Sequence, residues 1–169
     1  PQYFDHHIIL RLDGHYINAI SENFVFIYDQ FIRKVILKKY VGSNNKLVEL
    51  GCGTGSGTLL AALNLNNNIR ITASDWATAS LPIVKEISKY TNRKIEAVKF
   101  NMLDLSGWNK LLIDKDTTVI SFHALEQLGD NYKKLLSKLC ETKSKCVHLE
   151  PIYEFYDENN LFDMLAKNY

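Results

Sequence analysis

A glycine-rich run near residue 50 constrains this chain more than any other part of its sequence. Glu49 and Leu50 end a short apolar segment, and glycines then occupy every second position over 51–57. An apolar segment with helical spacing follows at 58–65, so the glycines lie between a predicted strand and a predicted helix. There, a glycine loop lets backbone N–H groups and the helix N-terminus approach a ligand closely. We therefore predict a ligand-binding turn.

The rest of the sequence alternates strand patterns with helix patterns. Strands are predicted at 47–50, 69–74, 95–100, 117–122 and 145–149. Helices are predicted from Ser21 until Gly42 stops the first, then at 58–65, 77–90 and 132–140, with room for one more in 157–169. This alternation predicts an α/β fold, with a doubly wound, mostly parallel sheet covered on both faces. Residues 1–20 show no sustained period and are assigned to an N-terminal arm, which leaves 21–169 as a single domain.

The composition is that of a soluble globular domain. The 169 residues suffice for one buried core, and 46% hydrophobic with 23% charged residues excludes disorder and fibrous repeats. Twenty basic against nineteen acidic residues give no net attraction to nucleic acid or to an anionic membrane, so we expect a small-molecule partner. No apolar run approaches the roughly 20 residues that span a bilayer. The three cysteines form no CxxC pair, so a cytoplasmic protein without disulfides is expected.

Asp75 adds an independent feature to the glycine turn. It ends the second predicted strand, twenty residues after Gly55. At that spacing a carboxylate is positioned to accept both hydroxyls of a ribose, and a second role as a helix N-cap is compatible with this one. The two features predict a nucleoside ligand. The dinucleotide fingerprint GxGxxG requires its third glycine at position 56, where this chain has serine, so that match is imperfect.

The run fits an acidic-x-Gly-x-Gly-x-Gly pattern instead. With it the chain resembles the class I S-adenosylmethionine-dependent methyltransferases, whose motif Glu49, Gly51, Gly53 and Gly55 match position by position. The resemblance implies a Rossmann-like methyltransferase fold that binds S-adenosylmethionine. It also implies that the acidic residue supports the glycine turn, that the turn packs against the methionine part of the cofactor, and that Asp75 holds the ribose.

The resemblance extends to the loop after the third strand, where the family recognises adenine. The family usually has Asp followed by an apolar residue, whereas this chain has Asn101 and Met102. The Asn101 carbonyl can still accept from the adenine amino group, and the Met102 N–H can serve a ring nitrogen; Asp104 is the alternative, and Asn101 as a turn residue stays open. The cofactor-binding residues expected from the motifs are Glu49, Gly51, Cys52, Gly53, Gly55, Asp75, Trp76, Asn101, Met102, Asp104 and Ser121.

Candidates for the chemistry follow the fourth and fifth strands, because ligands lie at the carboxyl ends of parallel strands. His123 is the first choice as general base, since an imidazole with an ordinary pKa is largely neutral at pH 7. Glu126 or Glu150 is expected to orient it or to contact the substrate. The alternatives remain open: His123 as an ordinary satisfied polar residue, and Glu150 as a solvated loop carboxylate.

Two other clusters near the last strand are less specific. Tyr153, Phe155 and Tyr156 could wall an acceptor pocket, although an aromatic cluster is more often part of the core. The Cys-x-His-x-Glu pattern at 146–150 spreads its side chains too far for one small ion, so we expect no metal site.

The sequence thus favours a methyltransferase that moves a methyl group from S-adenosylmethionine to an oxygen or nitrogen of a small-molecule acceptor. Two alternatives stay open, namely an NAD-dependent oxidoreductase and a non-catalytic nucleoside-cofactor-binding domain. Class I methyltransferases usually have seven strands ending in a hairpin, and only five are predicted. We therefore expect a C-terminally truncated domain from a longer protein, with the terminal hairpin absent, and a natural minimal version of the fold stays open as the alternative.

Overall fold

Strands and helices alternate in the computed structural model, which describes residues 9–12, 15–18, 23–41 and 45–167. The strands are β1 (Ile9–Leu12), β2 (His15–Asn18), β3 (Lys46–Leu50), β4 (Arg70–Asp75), β5 (Ile95–Lys99), β6 (Thr117–Phe122) and β7 (Lys145–Leu149). The helices are α1 (Phe24–Tyr40), α2 (Ser56–Asn64), α3 (Ser80–Tyr90), α4 (Trp108–Leu111), α5 (Lys133–Thr142) and α6 (Leu161–Lys167). Two 3₁₀ helices, Leu125–Tyr132 and Tyr153–Phe155, follow β6 and β7.

The central sheet has five parallel strands in the order β5-β4-β3-β6-β7. Leu50 at the end of β3 pairs with Ser74 on β4 and with Ser121 on β6. The chain winds outward from β3 to β5 and then returns to β6 on the other side of β3, which places the switch in strand order between β3 and β6. The predicted doubly wound parallel sheet is confirmed, and every predicted strand lies within one residue of its observed bounds.

Both faces of the sheet are covered, because side chains alternate between faces along each strand. Leu47, Ile71 and Ile120 point into the core beneath α1, α2 and α3. Val48 and Val119 point the other way, into the core beneath α4, the first 3₁₀ helix and α5. The central strands β3, β4 and β6 are buried on both sides and hold buried polar residues such as Ser74, Thr118 and Ser121 among the apolar ones.

The N-terminal arm contains an element that the pattern did not predict. β1 and β2 form an antiparallel hairpin in which Leu12 pairs with His15. Its strands have only four residues each, too few to show a period in the sequence. Tyr16 of the hairpin donates its hydroxyl hydrogen to Asp163 of α6, and its ring centroid lies 4.9 Å from that of Phe162. The hairpin therefore packs against the C-terminal helix.

Helix α1 buries less of its apolar pattern than its period suggests. Leu37 is fully buried, whereas Phe31 is 60% exposed and Val35 43% exposed. The predicted start of this helix, at Ser21, lies outside the described residues. In the ranges that are described, none of the helices has the length and apolar character needed to cross a membrane.

Arg93 lies at the end of the sheet opposite the glycine turn, against the C-terminus of α2. Its guanidinium group is buried and donates hydrogen bonds of 2.6 to 3.4 Å to five backbone carbonyls at the C-terminus of α2 and in the loop to β4. These carbonyls belong to Ala61, Ala62, Leu65, Asn66 and Ile69. The cation thus caps the C-terminus of α2, where the Ala61 carbonyl also accepts the N–H of Leu65. Burial lowers the pKa of Arg93.

Candidate functional site

In the glycine turn after β3, the first and third glycines are closely packed against other side chains, whereas the middle one faces open space. Gly51, Gly53 and Gly55 all have left-handed backbone, with φ of +71°, +51° and +80°. A Cβ atom on Gly51 would come 2.5 Å from Ala124 Cβ, and one on Gly55 would come 2.4 Å from Ile87 Cδ1. At Gly53 a Cβ would meet nothing within 4 Å. The middle of the turn is therefore accessible to a ligand.

Glu49 lies under the turn with its carboxyl group buried. Oε2 accepts a 2.5 Å hydrogen bond from the Thr58 hydroxyl, which joins β3 to α2. Burial raises the pKa of Glu49 to about 7, although the Thr58 hydrogen bond and the charge of Arg33 act in the opposite direction. The acidic residue of the motif therefore braces the turn from inside the fold.

Arg33 of α1 lies close enough to Glu49 for its charge to act on that carboxyl group, although the sequence pattern did not predict Arg33 as a site residue. Its guanidinium carbon lies 4.8 Å from the ring centroid of Phe122, and its Nε donates to Asp29 Oδ1 at 2.9 Å. In the sequence, Arg33 reads as one of several cations that suit the end of a helix. The acidic residue of the motif could have indicated a partner such as Arg33, because a buried carboxyl group requires a nearby cation or hydrogen-bond donors.

Asp75 lies beside the glycine turn, as its position in the sequence predicted. Its Oδ2 accepts the N–H of Gly53 and its Oδ1 accepts the N–H of Ala77, both at 2.8 Å. Helix α3 begins only at Ser80, so Asp75 closes a turn and is not a helix N-cap. A carboxylate has about four acceptor positions, which leaves one on each oxygen. The neighbouring Trp76 is 66% exposed.

The loop after β5 offers an unused backbone donor. Asn101 Oδ1 accepts the N–H of Leu103 at 3.0 Å, so the turn role of Asn101 is present. Asp104 Oδ1 accepts the N–H of Ser106 at 2.8 Å, and this hydrogen bond lowers the pKa of Asp104. Met102 is buried, and its N–H has no partner among the described residues. The N–H of Met102 is therefore free to donate to a ligand.

A chain of hydrogen bonds joins the ends of β6 and β7. The fully buried Ser121 hydroxyl donates to Glu150 Oε1 at 2.5 Å and lies 2.8 Å from His148 Nδ1. Because the single hydroxyl hydrogen is directed to Glu150, Ser121 accepts the Nδ1–H of His148. Burial lowers the pKa of His148, which favours this neutral imidazole.

Glu150 also holds the turn that leaves β6. Its Oε1 accepts the N–H of Ala124 at 3.2 Å, and its Oε2 accepts the N–H of Glu126 at 3.3 Å. With the Ser121 hydroxyl, three of about four acceptor positions are occupied, and the open one is on Oε2. Glu150 is partly buried and structurally anchored, so it is not an ordinary solvated loop carboxylate.

His123 and Glu126 form an exposed pair on the same turn. His123 has left-handed backbone, with φ of +54°, and its N–H donates to the Leu149 carbonyl at 2.9 Å. Its Nδ1 lies 3.8 Å from Glu126 Oε2, and this carboxylate raises the pKa of His123. More of the imidazole is therefore protonated at pH 7 than the ordinary pKa implies, which differs from the expectation of a largely neutral base.

A cavity of about 400 Å³ lies beside Glu150. Its wall comes from the hairpin, from the segment after β7 and from α6: Tyr16, Glu150, Pro151, Ile152, Phe155, Tyr156 and Ala166. Two of the three aromatic residues predicted for an acceptor pocket line it. The third, Tyr153, has the Lys167 ammonium 4.4 Å from its ring centroid. In the described part of the chain, no group of three or more His, Cys, Asp or Glu residues is arranged to hold a metal ion.

Solved structures share this architecture, whereas neither a protein-family model nor a curated protein matches the sequence. An S-adenosylmethionine-dependent methyltransferase from Clostridium acetobutylicum superposes with a TM-score of 0.56 at 15% identity, over 82% of this chain and 60% of its own. The N-methyltransferase NodS from Bradyrhizobium japonicum, in complex with S-adenosyl-L-homocysteine, superposes with a TM-score of 0.53 at 15% identity. The match covers 73% of this chain and 61% of the NodS chain. The chain has the class I methyltransferase fold.

This methyltransferase fold is also used for other chemistry. The cyclase SpnF superposes with a TM-score of 0.56 at 16% identity, over 83% of this chain and 47% of its own. The chain thus spans between about half and two thirds of the length of these similar structures. Because one fold hosts different reactions, the activity depends on the residues at the carboxyl edge of the sheet.

Proposed function

We propose that the protein is an S-adenosylmethionine-dependent methyltransferase that acts on an oxygen or nitrogen of a small-molecule acceptor. The observation that carries the proposal is the hydrogen bond from the Gly53 N–H to Asp75. It places a carboxylate with unused acceptor positions next to the accessible middle of a glycine turn. A ribose hydroxyl pair and the adjoining methionine chain need that combination.

The residues present fit the cofactor. Asp75 would accept the ribose hydroxyls, while the turn of Gly51, Gly53 and Gly55 would pack against the methionine part. The Met102 N–H would serve an adenine nitrogen, with Asn101 beside it. The other cofactor candidates act less directly. Glu49 braces the turn, Trp76 and Asp104 are exposed in the loops after β4 and β5, and the buried Cys52 and Ser121 hydrogen-bond to neighbouring strand residues and to Glu150.

When bound, the cofactor supplies a methyl group on a sulfonium, and a thioether departs without needing an acid. The chain must then hold the acceptor in line, which can supply roughly 7–11 kcal/mol of the barrier. His123 takes the acceptor's proton when that acceptor is a hydroxyl, and it does so more readily once the pH exceeds its raised pKa. Ser121 and Glu150 hold the turn that carries His123.

Titration calorimetry with S-adenosylhomocysteine and with NAD tests the proposal. We expect the first to bind at one site and NAD to show no binding. Asp75→Ala should weaken S-adenosylhomocysteine at least about tenfold, because roughly 1.4 kcal/mol of binding free energy corresponds to a factor of ten and two charge-assisted hydrogen bonds exceed this. Asp116→Ala, at the opposite edge of the sheet, is the matched control and should bind normally. Exclusive binding of NAD would favour the oxidoreductase alternative instead.

A further inference from the structure

The cavity beside Glu150 combines aromatic and apolar walls with a single carboxylate. Of its seven lining residues, Tyr16, Phe155 and Tyr156 are aromatic, three others are apolar, and Glu150 is the only one charged at neutral pH. Among the described residues that line it, none is a lysine, an arginine or a histidine. A carboxylate surrounded by aromatic rings favours a cation, since the ring quadrupoles and the carboxylate attract positive charge together. An anionic ligand would be repelled by the Glu150 carboxylate.

The aromatic wall is held in place by contacts outside the cavity. Tyr16 donates its hydroxyl hydrogen to the buried Asp163, and its ring packs against Phe162. Asp163 Oδ2 in turn accepts the N–H of Asp157 at 2.8 Å. The ring from the hairpin is therefore fixed on the C-terminal helix opposite the segment after β7, and the cavity is preformed rather than assembled by its ligand.

Glu150 can still make one directed contact. Its Oε1 already accepts the Ser121 hydroxyl hydrogen and the N–H of Ala124, and its Oε2 accepts the N–H of Glu126. These bonds fix the orientation of the carboxylate and leave one acceptor position on Oε2. An ammonium or amine N–H can fill that position with a charge-assisted hydrogen bond.

We infer that this cavity receives the methyl acceptor and that the acceptor is an amine with an apolar or aromatic body. The inference rests on the proposed function and narrows its oxygen-or-nitrogen choice to nitrogen. Pro151, Ile152 and Ala166 provide the apolar surface for the body of such a molecule. Anionic acceptors are disfavoured by the Glu150 carboxylate, and neutral alcohols gain neither the cation–π attraction nor the full charge-assisted hydrogen bond.

The reaction balances with the groups named. The bound ammonium gives up one proton to solvent and keeps its N–H hydrogen bond to Glu150, which frees the nitrogen lone pair. The lone pair forms a bond to the methyl carbon, while the carbon–sulfur bond breaks and leaves its electron pair on sulfur as a neutral thioether. The methylated nitrogen then carries the positive charge, which it loses with a second proton to solvent.

Calorimetry without the cofactor tests the cavity itself, with three probes of similar shape: phenethylamine, 2-phenylethanol and 3-phenylpropanoate. We expect phenethylamine to bind at least about fivefold more tightly than the alcohol and the carboxylate to bind most weakly. Phe155→Leu should weaken phenethylamine by about 2- to 5-fold and leave the alcohol almost unchanged. Tyr153→Leu, in the same 3₁₀ helix but outside the cavity wall, is the matched control and should change neither.

Glu150→Gln adds a second test, and its melting temperature reports whether the turn is still held. In the folded variant the preference for phenethylamine over the alcohol should become smaller, because the charge-assisted hydrogen bond is lost while the aromatic rings remain. Equal affinities for all three probes in the wild type would overturn the inference.

The two proposals fail in different ways. If S-adenosylhomocysteine binds and phenethylamine does not, the amine acceptor is wrong and the methyltransferase proposal stands. If phenethylamine binds and S-adenosylhomocysteine does not, the cation-selective cavity remains but its role as an acceptor site falls with the proposed function. With both ligands bound, N-methylphenethylamine should form on addition of S-adenosylmethionine, and its absence would also overturn the acceptor assignment.

Discussion

Gly57 lies directly against Glu49: a Cβ atom on this glycine would come 2.2 Å from Glu49 Oε1 and 2.9 Å from a ring carbon of Phe122. Unlike the three glycines before it, Gly57 has no left-handed backbone and lies in the first turn of α2. Its lack of a side chain therefore serves close packing of the helix on β3, with the buried carboxyl group filling the space.

Replacing Gly57 by alanine should destabilise the protein by about 1–3 kcal/mol, because the added methyl overpacks a filled core. Helix propensity acts in the opposite direction by at most about 1 kcal/mol. Urea unfolding followed by circular dichroism measures the difference. Leu63→Ala, at an exposed position of the same helix, is the control and should cost less than about 0.5 kcal/mol. Wild-type stability in Gly57→Ala would mean that Glu49 can move aside freely.

The stability of the protein should fall as pH rises, and Glu49 should account for much of the fall. The pKa of Glu49 is about 7 when folded against an ordinary 4.5, so the folded state binds more protons between these values. The free energy of unfolding therefore decreases from about pH 4.5 upward, and the full cost of about 3 kcal/mol is present above pH 7.

Glu49→Gln keeps the acceptor for the Thr58 hydroxyl and removes the titration. Its melting temperature should depend less on pH between 5.5 and 8.5 than that of the wild type, and it should be the higher of the two at pH 8.5. Parallel pH profiles for the two proteins would show that the buried carboxyl does not carry this dependence.

Glu126→Gln should lower the pKa of His123, because the Glu126 carboxylate is the main cause of its rise. The imidazole resonances of His123, followed by NMR against pH, measure the shift. If His123 is the general base, methyl transfer rises with pH through this pKa, so the variant should reach its plateau at a lower pH than the wild type. Glu141→Gln, on exposed α5 surface, is the control. A shifted NMR titration with an unshifted rate profile would remove His123 from the base role.

Arg93→Met should cost on the order of 3 kcal/mol, since the substitution leaves several buried carbonyls without donors. For a chain of this size the melting temperature should then fall by about 6–12 °C. Arg70→Met changes an exposed arginine nearby and should have almost no effect. Arg93→Lys should recover part of the loss, because the ammonium has three donors. Equal melting temperatures for the two methionine variants would contradict the capping role.

The arrangement of the sheet and the position of the site could be predicted because both depend on local pattern. β6 and β7 were predicted with their observed bounds, although β6 is buried along its whole length whereas β7 is an edge strand that is exposed at Lys145 and Cys146. The meeting of Gly53 with Asp75 follows from the same source, since parallel strands bring their carboxyl ends to one edge. The Asx turn at Asn101 was foreseen only as an alternative, because a short polar side chain in a loop fits either role.

Contacts between distant parts of the chain could not be predicted in this way. Arg33 reaches Phe122 across 89 positions, and Tyr16 reaches Asp163 across 147. Ser121 contacts His148 because the register of β6 and β7 places these two residues opposite each other, and it reaches Glu150 just after the end of β7. The sequence shows which residues carry charge or a ring, but not which of them become neighbours.

The sequence by itself determined the positions of the five strands of the sheet, the glycine turn and the carboxylate beside it. These features follow from periodicity and from short, fixed spacings. The tertiary structure alone decided the protonation tendencies of Glu49 and His123, the anchoring of Glu150 and the aromatic wall around it. Burial and through-space charge set the first two, and packing of both chain ends set the last. Those quantities depend on three-dimensional distance, which no spacing along the chain encodes.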